Sequence, residues 1–467
     1  MAKASDILTA KFPFEPTAGQ QRLFLLFNDY LKQEHGKKAT LLLRGYAGTG
    51  KTTVVSSIVE ALPFFKYKFL LLAPTGRAAK VMASYSGKNA YTIHKKIYKQ
   101  TADPRSGLLV FQKQKNYYTH TVFIIDESSM LSDQADFGDR GLLADLIKFV
   151  FENDTNKLML IGDSAQLPPV GQVKSPGLDA QVLREDFKLD VFEAELTEVM
   201  RQDQASGILY NATQLRAGLL HKEVQIKFYT SNFKDIYRMT AEKMEDGLRY
   251  AYDKYGVENT IIVCRSNKAA VQYNEYIRRT ILYQEGEIEA GDFLMIVRNN
   301  YFFLGENAPG GFLANGDFVE VMKVVRFEEL YGFRFATLML RLTDYPEQEN
   351  FEATVMLDTL HSPAASLSSE DYRKLYEQVV LEYVDCKTKK ERNEMVRKDP
   401  HLNALQVKFA YALTCHKSQG GQWPAVFVDQ GYLKDEMIDK EYMRWLYTAI
   451  TRASQELFLV NFSANFF

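Results

Sequence analysis

The segment Gly45-Tyr46-Ala47-Gly48-Thr49-Gly50-Lys51-Thr52 sets glycines, a lysine and a hydroxyl at the spacing GxxxxGK[ST]. Glycines there let backbone N–H groups close around phosphate oxygens with no Cβ in the way, and a helix opening at Lys51 adds its dipole. Lys51 is positioned to reach the β- and γ-phosphates of ATP and the Thr52 hydroxyl to bind Mg²⁺. Gly45, Gly48, Thr49, Gly50 and Thr53 complete this binding set. Downstream, Ile124-Ile125-Asp126-Glu127 delivers two carboxylates at the end of an apolar run. Asp126 suits the Mg²⁺ shell, and Glu127 suits orienting or deprotonating a water. A Gly-rich turn and helix N-cap chemistry are the ordinary alternatives, and the pairing of the two motifs argues against both. Gln166, in GDSAQLPPV, can read a γ-phosphate because its amide both donates and accepts. Alone, that string reads better as a polar turn before Pro168 and Pro169.

These residues need a frame, and the apolar runs supply one. Ala39–Gly45, Lys68–Pro74, Thr121–Asp126 and Lys157–Gly162 are short and nearly all apolar, as expected of strands in a parallel sheet covered on both faces. Helical patterns at Thr52–Leu62 and Gly141–Phe151 lie between them, which gives a doubly wound α/β domain. A second α/β pattern starts near Thr260 and resumes at Phe409–Thr414 and Ala425–Asp429. Between them Phe318–Val325 and Phe333–Leu342 read as antiparallel strands, and Ser368–Arg397 as one or two charged helices. The expected division is a first lobe over 1–200 with a hairpin near 97–120, a second lobe over 201–286 and 406–467, and an insertion over 287–405.

The chain has 467 residues, 46% hydrophobic and 25% charged, which excludes a disordered or fibrous protein. Cys264, Cys386 and Cys415 are too scattered for a disulfide framework or a zinc site. No secretory signal or membrane span is expected, so the expected compartment is cytoplasmic. Net charge is −2, yet residues 61–125 carry eleven Lys or Arg and one acid, while 126–200 carry six basic and sixteen acidic residues. Blocks of +10 and −10 fit either one basic face or charges scattered over solvated helices.

Taken in order, the motifs resemble those of superfamily 1 DNA helicases, specifically the RecD-like, phage Dda-like branch that translocates 5′ to 3′. TAGQ (Thr17–Gln20) resembles the adenine-reading motif, with Gln20 as reader. APTGRAAK (Ala73–Lys80) and TIH (Thr92–His94) resemble first-lobe strand-binding motifs, which implies DNA contacts from Thr75, Arg77, Lys80, Thr92 and His94. LTEVMRQ (Leu196–Gln202) resembles the fourth motif and implies Arg201 near the γ-phosphate. TCHKSQG (Thr414–Gly420) and LYTAITRA (Leu446–Ala453) resemble the fifth and sixth. They imply strand contacts from Thr414, His416 and Lys417, a nucleotide contact from Gly420, and Arg452 as an arginine finger. CRSNKAAVQYN (Cys264–Asn274) resembles the opening of the second lobe, with Asn267 a weaker strand contact.

The resemblance implies two RecA-like motor lobes, an inserted β-hairpin, and an inserted small β-barrel with a helical arm, entered at Asn315-Gly316-Asp317. The hairpin is placed at Ser106–Lys115, with Phe111 at or near its tip as a pin. The implied protein is an ATP- and Mg²⁺-dependent DNA helicase, a monomeric motor acting on single-stranded DNA and on single-strand/duplex junctions. Two other readings stand beside it: a translocase or remodeller that hydrolyses ATP without separating duplexes, and a nucleotide-gated clamp. Polarity follows from the resemblance alone.

Overall fold

The computed structural model describes residues 3–102, 109–134, 141–199, 205–304, 312–343, 345 and 347–467, with the backbone alone at 100–102 and 109–111. The first lobe is built on strands β1 (Ala39–Gly45), β2 (Lys68–Ala73) and β3 (Ala90–Thr92). An outlying hairpin of β4 (Tyr98–Ala102) and β5 (Leu109–Lys113) follows, and then β6 (Thr121–Ile125), β7 (Lys157–Gly162) and β8 (Asp190–Leu196). The sheet order is β3-β2-β6-β7-β1-β8, all parallel. Every residue of β6 and β7 is buried, which explains their unbroken apolar runs. At the sheet edge, β8 exposes Glu193 and Glu195, so it alternates instead.

The second lobe is a five-stranded parallel sheet. Strands β9 (Ile236–Met239) and β10 (Thr260–Cys264) belong to it, but the next five strands leave it. β11 (Phe293–Ile296), β12 (Phe318–Leu330), β13 (Phe333–Leu342), β14 (Phe351–Met356) and β15 (Leu405–Phe409) close into a small barrel. The chain then returns through β16 (Ala412–Thr414), β17 (Trp423–Asp429) and β18 (Ala453–Val460), in the sheet order β16-β10-β17-β18-β9. The barrel runs to Phe409, past the expected boundary at 405. The apolar stretch Phe409–Thr414, expected to be one strand, instead divides between barrel and lobe.

The arm is two helices, Ser369–Glu382 and Lys389–Arg397, seated on the barrel. Leu375, Val379 and Val396 bury against Phe335 and Met356. The Asn315-Gly316-Asp317 turn leads into β12 as expected, with Gly316 at φ +92°.

The hairpin's ladder pairs Tyr98 with Lys113 and Ala102 with Leu109, so its strands lie further apart in sequence than the expected Ser106–Lys115 hairpin. The Phe111 backbone pairs with Gln100, inside the ladder and not at its end. The Phe111 side chain and residues 103–108 lie outside the described residues. At its base the hairpin is tied to the helix Leu142–Val150: the Tyr98 hydroxyl donates to Asp145 at 2.7 Å, and Lys113 Nζ lies 3.7 Å from the same carboxylate.

Candidate functional site

β1 ends at Gly45 and the helix Lys51–Ala61 begins six residues later, so the loop between them must turn sharply. Gly48 and Gly50 supply the turn in the left-handed region, at φ +73° and +77°. Lys51 Nζ donates to the carbonyls of Gly45 and Tyr46 at 2.6 and 2.8 Å, which holds the ammonium at the loop's mouth. β6 delivers Asp126 and Glu127 to the same cavity, of about 540 Å³. Asp126 accepts from the Tyr85 hydroxyl and from the Glu127 N–H, both at 2.8 Å. Thr52 and Asp126 both line this cavity and present hard oxygen donors of the kind a magnesium ion takes.

The far wall comes from the second lobe: Gly420, Thr451 and Arg452. Arg452 is only 3% exposed, so its guanidinium needs partners. It donates to the Thr448 carbonyl at 3.0 Å, the Gly421 carbonyl at 3.1 Å and Thr451 Oγ1 at 3.3 Å. These bonds use one N–H on each terminal nitrogen and leave a second on each. Glu127 opens only partly onto solvent. Burial pushes its carboxyl up to about 7, and although Arg452 draws it down, Asp126 pushes it further up.

The lobes are joined at this cavity by hydrogen bonds. The Tyr447 hydroxyl accepts from the Ala47 N–H at 3.0 Å and donates to Asp163 at 2.6 Å, so one buried group ties the phosphate loop, the GDSAQ turn and the second lobe. Thr448 Oγ1 accepts from the Leu167 N–H at 2.9 Å, Gln419 donates to the Leu167 carbonyl at 2.9 Å, and Arg444 donates to the Ser164 carbonyl. Gln166 faces the cavity, and its buried Oε1 has no hydrogen-bond partner among the described residues.

Gln20 is placed differently from expectation. It is fully buried, outside the cavity lining, with its Oε1 accepting the Thr17 N–H at 2.9 Å in a capping box and its amide donating to the Thr49 carbonyl at 3.2 Å. It braces the loop from behind, while Phe14, 43% exposed, lines the cavity. Gly48, Thr49, Gly50, Thr53 and Gly420 line the cavity as expected. Arg201 lies outside the described residues. Sequence reasoning missed Tyr85, Tyr447 and Phe14 because only tertiary contacts bring them here.

A second cavity, of about 700 Å³, collects Thr75, Thr92 and His94 from the first lobe. Thr75 and Thr92 each cap a helix, accepting from Ala78 N–H at 3.2 Å and Lys95 N–H at 3.3 Å, so their own hydroxyl protons remain to donate. Burial lowers His94 to about 4, so it is neutral at pH 7 and offers a hydrogen bond rather than a charge. Arg77 and Lys80 do not join this cavity but line another. Arg77 stacks on Trp423 and Phe318, 4.0 and 4.7 Å from the ring centroids, because those rings fill the space between first lobe, second lobe and barrel. Thr414, His416, Lys417 and Asn267 also lie outside the Thr75 cavity. Lys417 Nζ is shielded from solvent without a hydrogen-bond partner among the described residues, and burial lowers it to about 8. Gly76 presses on the barrel turn: a Cβ there would sit 1.8 Å from Asp317 Oδ1.

Residues 30–232 match the AAA domain family, and residues 409–460 match the UvrD-like helicase C-terminal domain, so the matched segments flank the barrel. The ATP-dependent DNA helicase dda of Enterobacteria phage T4 is 33% identical over 43% of this chain and 43% of its own length. The chain is thus similar to an ATPase domain and to a helicase C-terminal domain, each over part of its length. An uncharacterized protein of Acanthamoeba polyphaga mimivirus is 24% identical over 89% of this chain and 94% of its own. Among solved structures, a Bacteroides Pif1 helicase in complex with ADP-AlF3 and ssDNA aligns at 16% identity over 96% of this chain and 94% of that one, with a TM-score of 0.49. No helix among the described residues is long and apolar enough to cross a membrane.

Proposed function

We propose that this protein is an ATP-dependent DNA helicase that moves 5′ to 3′ along one strand and separates duplex ahead of it. The observation that carries the reading is the shared nucleotide cavity. Lys51, Asp126 and Glu127 come from one lobe and Arg452 from the other, so a bound triphosphate senses whether the cleft is closed. Thr52 and Asp126 would hold a Mg²⁺ ion, which would supply neutralisation of the phosphate charge. Lys51 takes the γ-phosphate oxygens, Glu127 accepts the proton of the attacking water, Gln166 reports the γ-phosphate, and Arg452 stabilises the charge that develops on it. Thr75, Thr92 and His94 grip the strand backbone, contacts that are blind to sequence.

The test is duplex unwinding with ATP and Mg²⁺, alongside hydrolysis with and without single strand. Strand-stimulated hydrolysis without unwinding favours the translocase reading, and strand binding without turnover favours the clamp.

The β4–β5 hairpin serves as the pin in this reading. Shortening the hairpin is expected to slow unwinding more than strand-stimulated hydrolysis, because a lost contact at the junction leaves the ATP cycle untouched; equal losses in the two assays count against the pin. Tyr447→Phe strands the Ala47 N–H and Asp163, at about 1–3 kcal/mol for each buried group. The expected result is strand-stimulated hydrolysis lowered roughly tenfold or more, with the melting temperature lowered by several degrees; unchanged hydrolysis contradicts the lobe-joining role.

Acid sensitivity follows from Glu127. The base must be ionised, and its carboxyl is raised to about 7, so the competent form is lost as pH falls through 7. With magnesium saturating, kcat/KM for ATP is expected to fall about tenfold per pH unit on the acid side. A flat profile down to pH 5.5 contradicts the assignment.

A further inference from the structure

The cavity that gathers Thr75, Thr92 and His94 is completed by two elements outside every helicase motif: the barrel, through Arg298, Asn299 and Asn315, and the arm, through Tyr372. We propose that Tyr372 and Arg298 form a base-stacking platform for single-stranded DNA, which makes the helical arm a wall of the strand track. The proposal rests on the reading of Thr75, Thr92 and His94 as strand contacts.

Tyr372 sits at the start of the helix Ser369–Glu382, on the face that continues through Leu375 and Val379. Those two are buried against Phe335 and Met356 and pin the helix to the barrel. Tyr372 lies outside that cluster and is half-buried at the cavity wall. The Arg298 guanidinium, on the exposed segment just after β11, lies 4.8 Å from its ring centroid. The guanidinium lies over the ring, and the outer face of the pair is a flat surface on which any base can stack, without sequence preference.

The flat groups stand on the arm side of the cavity and the backbone-binding hydroxyls on the first-lobe side. Glu370 and Asp371 stand in the first turn beside Tyr372, and Glu370 pairs with Lys374 at 3.0 Å. Lys374 also lies 3.6 Å from Asp371, so the turn's charge is balanced locally, and the hydrogen-bond donors for a phosphate are Thr75, Thr92 and His94 across the cavity. A strand in the cavity is thereby oriented with its backbone against the first lobe and its bases against the arm.

The test is binding of labelled oligothymidylate and of an abasic oligomer of equal length, by fluorescence anisotropy, to the full chain and to its Tyr372→Ala and Tyr372→Phe variants. Tyr372→Ala should weaken oligothymidylate binding about 5- to 150-fold and leave the abasic strand unchanged, while Tyr372→Phe should bind as the unsubstituted protein does. Unchanged oligothymidylate affinity in Tyr372→Ala overturns the platform, and so do equal losses on both oligomers, which report a damaged arm. Failure of the unsubstituted protein to bind either oligomer overturns the strand track itself and the platform with it.

Discussion

Arg452→Ala is expected to lower strand-stimulated ATP hydrolysis by roughly 10³–10⁵-fold while leaving ATP affinity within a few-fold. Arg452 is the second-lobe side chain whose charge bears on Glu127, and it lines the cavity that holds Lys51 and Asp126. Its bonds to Thr448, Gly421 and Thr451 fix the guanidinium plane, so its remaining N–H groups need no reorganisation as charge develops on the phosphate. Arg452→Lys keeps the charge but loses the planar fork, and is expected to recover only a small part of the rate. Steady-state hydrolysis, set beside fluorescent-nucleotide binding, separates the two effects. A loss of affinity that matches the loss of rate would mean that Arg452 only binds.

The second large effect is expected at Glu127. Glu127→Gln keeps the size of the side chain and one acceptor oxygen but cannot accept a proton, so hydrolysis should fall by about 10²–10⁴-fold with nucleotide and strand binding retained. The site shows why this acid can serve as the base. Its backbone lies at φ +51°, an uncommon conformation for a non-glycine residue, and burial keeps its carboxyl basic enough to take a proton near neutral pH. Asp126, one residue earlier, is instead held by Tyr85 and by the Glu127 N–H, an arrangement suited to a fixed metal ligand. Strand-stimulated hydrolysis that is unchanged in Glu127→Gln contradicts this division of labour.

What could be read from the chain divides along physical lines. The phosphate loop and the Asp126-Glu127 pair are local: an apolar run that must cross a sheet ends in residues that must then emerge at its edge. β8 has no such run, because an edge strand exposes Glu193 and Glu195; its signal is the weaker alternation of apolar and acidic residues. Phe409–Thr414 is one apolar string, and only the closure of the barrel splits it between β15 and β16. Thr17-x-x-Gln20 carries a capping-box pattern, which is how the structure uses it, so a local signal was available there. Arg77 gave no warning, since its Trp423 and Phe318 partners lie far along the chain. Tyr447 was legible as one aromatic among many; its role depends on Ala47 and Asp163, both in the other lobe.

The +10 and −10 blocks show the same limit. Their sum conceals a basic segment that contains Thr75, Thr92 and His94, yet two of its cations, Arg77 and Lys80, line a cavity other than the one those residues share. Charge pattern marked the segment, and packing decided which of its side chains share that cavity.

The central claim is directional, ATP-driven duplex separation. Its most direct measurement is unwinding of two duplexes of the same sequence, one with a 5′ single-stranded tail and one with a 3′ tail, in the presence of ATP and Mg²⁺ and with Lys51→Ala as control. The account predicts ATP-dependent unwinding of the 5′-tailed duplex, little of the 3′-tailed one, and none with Lys51→Ala. Unwinding of the 3′-tailed duplex alone would contradict the polarity, and unwinding that persists with Lys51→Ala would contradict the motor.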